Sequence, residues 1–199
     1  AELGAVNQGL QHAKLALDAA ETNTIPCLSA ALGAMAYLYT LQGDFDQAEM
    51  VLKQGKSDRM CLSHPVWSAP VPLAEAVLAL RLGDYGRAHL AATNLLELGQ
   101  RSFVPQALYL QSRALLGKGQ TEAAHTCLGE AYRLAQELGM RWSLWRICAA
   151  LGELTRDYGE QQAFYVQAQG ILLAIVETIP PLLRSSFLAL PEVKARLNS

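Results

Sequence analysis

One pair of residues in the chain has the spacing of metal ligands, Cys61-x-x-His64. A closed zinc site needs four ligands, and no second pair stands at a partnering distance in the sequence. His125-x-Cys127 is a weaker candidate, because two residues so spaced lie on different faces of a helix. We therefore interpret Cys61 and His64 as a packed cysteine beside a loop histidine. We predict no metal and no other cofactor.

Residues for nucleophilic catalysis are present without a recognisable arrangement. A Ser-His-Asp or Cys-His site assembles from distant parts of a chain, so the sequence leaves one open. There is no Gly-x-Ser-x-Gly elbow and no Gly-x-x-x-x-Gly-Lys-Ser/Thr phosphate loop in the sequence. We predict that the protein is not an enzyme. A catalytic site in a groove between helices is kept as a remote alternative.

Composition disfavours two classes of partner. The 199 residues carry a net charge of -2 with a pI near 6.1, so no basic field attracts nucleic acid or an anionic membrane surface. The longest strongly apolar run, from Ile171 to Val176, is far too short to span a bilayer. The four cysteines have no paired spacing, which is typical of small buried side chains in a reducing compartment. We expect a cytoplasmic protein without direct nucleic-acid or membrane partners.

The elements that position these side chains are indicated by a repeated step. Gly43-Asp44-Phe45-x-x-Ala48 returns forty residues later as Gly83-Asp84-Tyr85-x-x-Ala88. In each copy we expect the glycine to end one helix and the aspartate to accept N–H groups that open the next. Apolar residues recur at helical spacing on both sides of each step, and no segment alternates like a strand. The sequence therefore predicts an all-α chain.

Small side chains are expected where the two helices of each unit cross. A larger side chain at such a crossing would overpack it, at a cost of about 1–3 kcal/mol. In the fourth unit Phe164 stands where a small residue is expected, which leaves the register of that unit open. The proline-rich stretch 63–72 is expected to be a long loop between units. The small residues are Ala36, Ala76, Ser112 and Gly152 in the first helices, and Ala48, Ala88 and Ala124 in the second.

The first complete unit resembles a known repeat. Leu32-x-x-Met35-Ala36-x-x-Tyr39-x-x-x-Gly43-Asp44-Phe45-x-x-Ala48 is similar to the tetratricopeptide repeat (TPR), and later units resemble it more loosely. Equivalent alanines are 35, 40 and 36 residues apart, against ~34 for a simple unit. The resemblance implies one TPR-like domain over residues 1–199, a right-handed helical-repeat superhelix or α-solenoid. Its implied parts are a half repeat over 1–24, repeats over 25–62, 66–99, 103–139 and 141–178, and a capping helix over 180–197.

The end of the chain carries a second, narrower resemblance. The segment 183–193, Leu-Arg-Ser-Ser-Phe-Leu-Ala-Leu-Pro-Glu-Val, is similar to the closing segment of helical-repeat regions in large bacterial signal-transduction ATPases and their relatives. The resemblance implies that the chain is the C-terminal sensor or scaffold of such a protein. The opening Ala1-Glu2-Leu3 likewise suggests a cut inside a longer sequence. Phe187, Leu188 and Leu190 would cover the open face of the last repeat.

The TPR resemblance also implies where a partner would bind. In TPR folds the first helix of each unit lines a concave groove, and members that clamp terminal carboxylates have Lys and Asn at several groove positions, which this chain lacks. Tyrosines, apolar side chains and arginines suit an amphipathic helix or an apolar peptide with an acidic group. The alternative is that the tyrosines only pack between helices and the arginines are solvated. The candidate groove positions are Tyr37, Leu73, Val77, Tyr109, Arg113, Arg146, Glu153 and Arg156.

Two tryptophans near the fourth unit have an expected structural role. Trp142 and Trp145 lie about one helical turn apart, and we expect them to pack under the preceding repeat.

These observations favour a binding function. We predict a non-catalytic scaffold or sensor region of a larger bacterial signalling or transcription-regulating ATPase. Its partner would be a protein, a peptide or another domain of the same chain. The alternative is a self-standing TPR receptor for a small signalling peptide of the quorum-sensing kind.

Overall fold

Every regular element in the described part of the chain is a helix. This computed structural model describes residues 3–23, 27–57 and 65–197, and the all-α prediction is confirmed over them. No helix in these ranges is long and apolar enough to cross a bilayer. The helices are α1 (Val6–Asn23), α2 (Leu28–Gln42), α3 (Phe45–Ser57), α4 (Pro65–Ser68), α5 (Pro70–Leu82), α6 (Tyr85–Glu97), α7 (Val104–Gly117), α8 (Thr121–Glu137), α9 (Arg141–Leu154), α10 (Tyr158–Thr178), α11 (Pro181–Leu188) and α12 (Pro191–Leu197).

The predicted Gly-Asp steps form the turns between α2 and α3 and between α5 and α6. Gly83 has φ +74°, a left-handed conformation that costs little without a Cβ, and its N–H bonds to the Leu80 carbonyl at 3.2 Å. The Asp84 N–H bonds back to the Ala79 carbonyl at 2.9 Å. The Asp84 carboxylate then accepts the Arg87 N–H at 3.0 Å and caps α6. The same bonds recur at Gly43 and Asp44, so both predicted caps are confirmed.

The helices pack in chain order. Helix α1 contacts α2, and α2 contacts α3. Each helix from α5 to α9 contacts the helix that follows it, and α2 also packs directly on α5. The first helices of the successive pairs, α2, α5, α7 and α9, also touch one another in that order. These four helices therefore lie side by side, and their outward positions share one surface.

The predicted small residues lie at tight crossings. Ala36, Ala48, Ala76, Ala88, Ser112 and Ala124 have no exposed surface. Ala88 of α6 packs with Ala79 of α5 and Ala114 of α7, so two interfaces meet at one methyl group. Gaps at such positions would not be filled by water, and larger side chains would force the helices apart.

The fourth unit departs from the predicted small-on-small crossing. Gly152 of α9 lies under the ring of Tyr165, and a Cβ built on the glycine would be 2.3 Å from Tyr165 Cε1. Phe164, next to it, makes an edge-to-face contact with Tyr132 at 5.9 Å between ring centroids. An aromatic residue, Tyr165, therefore contacts the glycine in place of the small residue that was expected there.

The proline-rich stretch is more helical than expected. The described part of it contains α4 and the start of α5 at Pro70, where the sequence suggested a continuous loop. Proline suits the first turn of a helix because its missing N–H has no intrahelical partner there and its φ is already helical. The prolines of this stretch thus begin helices.

The C-terminal segment forms two short helices instead of the single predicted capping helix. Pro191 interrupts the segment and begins α12. Phe187 is fully buried with Trp145, Leu172 and Val193, as expected for a cap, but Leu188 is 37% exposed and does not share that role. The cap closes the core through Phe187 and Val193.

The two ends of the described chain meet at this cap. Leu3 packs against the cluster that contains Phe187 and Val193. Gly4, with φ +74°, lies so close to the Ser186 carbonyl oxygen that a Cβ would be 2.5 Å from it. The short C-terminal helices therefore lie beside the first described residues of the chain.

Candidate ligand-binding groove

A cavity of about 460 Å³ lies along the surface shared by α2, α5, α7 and α9. We call it the groove. Side chains of α12 complete its wall, so helices from the beginning and the end of the chain line the same space. Six of the eight candidate positions line it: Tyr37, Val77, Tyr109, Arg113, Arg146 and Glu153.

Two candidate positions, Leu73 and Arg156, do not line this cavity. Leu73 packs against buried clusters that include Leu95 of α6 and Ala107 of α7. Arg156 is exposed beyond Leu154, the last residue of α9, so it no longer follows the helical spacing that placed it. These two positions, which the TPR resemblance implies for the groove, differ because the Leu73 side chain packs between helices and Arg156 follows the end of α9.

Tyr109, Arg113 and Glu153 connect α7 with α9 across the groove. Arg113 donates from Nη1 to Glu153 Oε2 at 2.9 Å. Burial raises the pKa of Tyr109, which stays a neutral phenol at physiological pH. Burial by itself lowers the pKa of Arg113, but opposing interactions, among them the hydrogen bond to Glu153, outweigh it, and the net pKa is raised. Arg113 is a fixed positive charge next to a neutral hydroxyl.

Arg146 is held between the groove and the cap. Its Nη1 donates to the Trp142 carbonyl at 3.2 Å, and its Nη2 lies 3.5 Å from Glu192 Oε1. The guanidinium carbon lies 4.6 Å from the centroid of the Trp145 ring, within cation–π range. Arg146 therefore has defined contacts on three sides.

The groove is more positive than the chain around it. Arg81, Arg113, Arg146 and Arg196 line it, against the acidic Glu153 and Glu192. Four positive and two negative side chains leave an excess of two positive charges, whereas the whole chain has a net charge of -2. Low-dielectric walls focus such an excess onto a bound anion.

Trp145 has a different position from the one predicted. It packs with Leu172, Ile175 and Phe187, which follow it in the chain, and it does not lie under the preceding repeat. Trp142 is 38% exposed and meets Phe187 edge to face at 5.7 Å. Trp145 is 2% exposed and lines the groove, yet its indole N–H has no acceptor among the described residues. A buried donor without an acceptor costs about 1–3 kcal/mol.

Sequence reasoning missed four charged or aromatic groove residues, which are Arg81, Trp145, Glu192 and Arg196. Arg81 follows the groove position Leu80 directly at the end of α5, so its neighbour was a usable signal. Trp145 precedes Arg146 and was assigned to packing alone. Glu192 and Arg196 belong to α12, whose place against the groove is set by packing of the cap, and no repeat pattern contains them.

A second polar cluster holds α3, α5 and α6 together at a separate cavity of about 400 Å³. Arg87 donates from Nε to Glu75 at 2.9 Å, and its two terminal nitrogens donate to the two carboxylate oxygens of Glu49. Lys56 forms a further ion pair with Glu75. The bond from Arg87 lowers the pKa of Glu49, although partial burial opposes it. Because these partners satisfy one another, the cluster fits a structural role.

The candidate metal ligands give no assembled site in the described ranges. Cys61 and His64 lie outside the described residues. Cys127 donates to Gln111 Oε1 at 3.6 Å, and burial raises its pKa, while His125 is exposed. Among the described residues no three His, Cys, Asp or Glu side chains gather as metal ligands would.

Comparison with known proteins gives a structural likeness only. Neither a protein-family model nor a curated protein matches the sequence. Solved structures do match, among them the crystal structure of BtubC (BKLC) from P. vanneervenii, with a TM-score of 0.65. That match covers 99% of this chain and 84% of the other chain, at 17% sequence identity. At this identity the likeness concerns the fold alone.

Proposed function

We propose that the chain is a TPR-like right-handed helical-repeat superhelix whose groove binds a protein segment or peptide without catalysis. The contacts of α2, α5, α7 and α9 in chain order support this architecture, since each unit of a repeat protein touches mainly its neighbours. In this proposal the chain acts in the cytoplasm as the scaffold or sensor region of a larger bacterial signalling or transcription-regulating ATPase. Its sequence resembles the TPR family in the motif of the first complete unit.

One observation carries the binding proposal. Tyr109, Arg113 and Arg146 come from two different helices and converge on one cavity of about 460 Å³. Cavities of roughly 300–1,000 Å³ with apolar walls and a few placed polar groups are typical ligand sites. Tyrosine and arginine are also enriched among the residues that dominate binding energy at protein interfaces.

A second candidate function is a self-standing TPR receptor for a small signalling peptide. The wall contributed by α12 favours it, because Glu192, Ala195 and Arg196 limit the groove at one side. An open groove suits a long segment that continues past the array, while a bounded one suits a short ligand. Both candidates share the same groove residues.

Selection from a random peptide display library tests the proposal. The intact protein should enrich peptides, and the variant Tyr109→Ala/Arg113→Ala should lose at least tenfold in their affinity while keeping its helix content by circular dichroism. A matched control is Tyr158→Ala/Arg133→Ala, which removes the same side chains from exposed positions outside the groove. Equal loss in both double variants, or full binding by the groove variant, would refute the groove as the binding site.

A further inference from the structure

We infer that the groove recognises a short, extended peptide that carries acidic groups, and that Glu192 of α12 competes with this ligand for Arg146. This inference rests on the proposed function and specifies its ligand. It is carried by the size of the groove and by the balance of charge inside it.

The size of the groove favours a short ligand over a long helical one. An α-helix is about 10 Å in diameter, so a volume of about 460 Å³ holds roughly one helical turn. An amphipathic helix bound through one face needs anchors spread over several turns. An extended peptide of a few residues has the dimensions that the groove provides. The amphipathic helix suggested by the sequence is therefore the poorer fit.

The charge of the groove selects an acidic ligand. Two of its arginines are already paired with carboxylates of the chain itself, Arg113 with Glu153 and Arg146 with Glu192. Arg81 lines the groove without an ion pair in the described structure, and Arg196 stacks over the Tyr165 ring at 4.0 Å. The excess of arginines over carboxylates on the groove wall matches an acidic ligand.

Trp145 holds Arg146 at the groove wall. Its side chain is almost wholly buried there, and the guanidinium carbon of Arg146 lies 4.6 Å from the centroid of its ring. This cation–π contact positions the guanidinium for a ligand carboxylate. We call the pair of Trp145 and Arg146 the subsite.

Glu192 occupies part of this subsite in the free protein. Its carboxylate lies 3.5 Å from Arg146, and the two residues are 46 positions apart in the chain, so α12 brings an internal acidic group to the groove. The distance is long for a charge-assisted bond, which makes the pair easy to displace. A ligand carboxylate that binds Arg146 takes the place of Glu192.

Affinity selection with defined peptide pools tests the inference. One pool holds tetrapeptides with two acidic and two apolar residues, and a matched pool replaces the acids with Asn and Gln and amidates the C-terminus. The immobilised full chain should retain the acidic pool at least tenfold better, and twelve-residue helical peptides should gain nothing over tetrapeptides. Glu192→Gln should raise retention of the acidic pool about two- to fivefold, as the loss of an exposed competing ion pair allows. Glu177→Gln, an acid-to-amide change outside the groove, should leave retention unchanged.

Each failure has a separate meaning. Equal retention of both pools would overturn acid recognition while leaving peptide binding intact. A Glu192→Gln variant that folds normally and retains no more than wild type would overturn the competition. Free glutarate that blocks the groove as well as the tetrapeptides would replace the peptide by a small dicarboxylate. If no peptide of any pool or library binds, the proposed function itself fails.

Discussion

Tyr165 of α10 covers Gly152 of α9 so closely that the glycine has no room for a Cβ. The built Cβ would lie 2.3 Å from Cε1 and 2.6 Å from Cδ1 of the ring. Arg196 of α12 stacks on the same ring at 4.0 Å. One tyrosine therefore joins the last helix pair to the helix that forms a wall of the groove.

Gly152→Ala should destabilise the protein, because the added methyl group must displace the ring. We expect a loss of about 1–3 kcal/mol in the free energy of unfolding, typical of overpacking in a filled interior. Urea denaturation followed by circular dichroism measures it. Gly170→Ala is the matched control, since Gly170 lies in α10 with nothing within 4 Å of its built Cβ. That control should gain about 0.5–1 kcal/mol from helix propensity, and a loss in it equal to that of Gly152→Ala would refute the steric explanation.

Ala88→Leu should lower the melting temperature, because Ala88 touches both α5 and α7. Its methyl group has no exposed surface and packs with Ala79 and Ala114, so three extra carbons would separate two interfaces. The expected loss is about 1–3 kcal/mol. Ala163→Leu, at an exposed position of α10, should leave the thermal transition nearly unchanged. An unaltered transition in Ala88→Leu would contradict the close crossing.

Asp84→Ala should remove the cap of α6. The carboxylate accepts the Arg87 N–H at 3.0 Å, and loss of such a cap costs about 1 kcal/mol in typical cases. Asp84→Asn serves as the control because its amide oxygen can accept the same bond. Chemical denaturation of the three proteins should rank the alanine variant lowest, with the asparagine variant close to wild type. Equal losses in both variants would assign the effect to charge instead of capping.

The local features of this fold could be predicted from the sequence, whereas the packing of its C-terminal helices against the groove could not. Helix ends at Gly43 and Gly83 followed from conformation and capping at single residues, which need no tertiary context. Groove positions such as Tyr109 and Arg113 were implied by the TPR resemblance, which places them by helical spacing for as long as the helix continues. Arg156 does not line the groove, because α9 ends two residues before it.

The remaining groove residues depend on contacts between distant parts of the chain. Glu192 reaches the groove because Phe187 and Val193 anchor the cap on Trp145 and Leu172. No repeat partner or periodic pattern fixes where such short helices pack. The wall that limits the groove, and with it the size of the ligand, could therefore be learned only from the structure.

The ion pair between Glu49 and Arg87 predicts a pH dependence of stability. The hydrogen bond from Arg87 places the folded-state pKa of Glu49 below its ordinary value of 4.5. The stabilisation is therefore complete above that value and is lost as the pH falls through the lowered folded pKa. Unfolding free energies of wild type and Glu49→Gln should differ at neutral pH and converge as the solution is acidified. Glu122→Gln, at an exposed position of α8, is the control. A difference that stays constant down to about pH 3 would contradict the linkage.

Gly4→Ala should loosen the cap, because Gly4 combines a left-handed backbone with a close contact. Its φ is +74°, and a Cβ would lie 2.5 Å from the Ser186 carbonyl oxygen. Gly99→Ala is a matched control, since Gly99 has φ +66° with nothing within 4 Å of its built Cβ. Both variants carry the left-handed penalty of about 1–2 kcal/mol, so their difference isolates the contact with Ser186. Hydrogen exchange over 181–197 should accelerate in Gly4→Ala and stay near wild type in Gly99→Ala. The same exchange pattern in both would show that the start of the chain does not hold α11 and α12 against the groove.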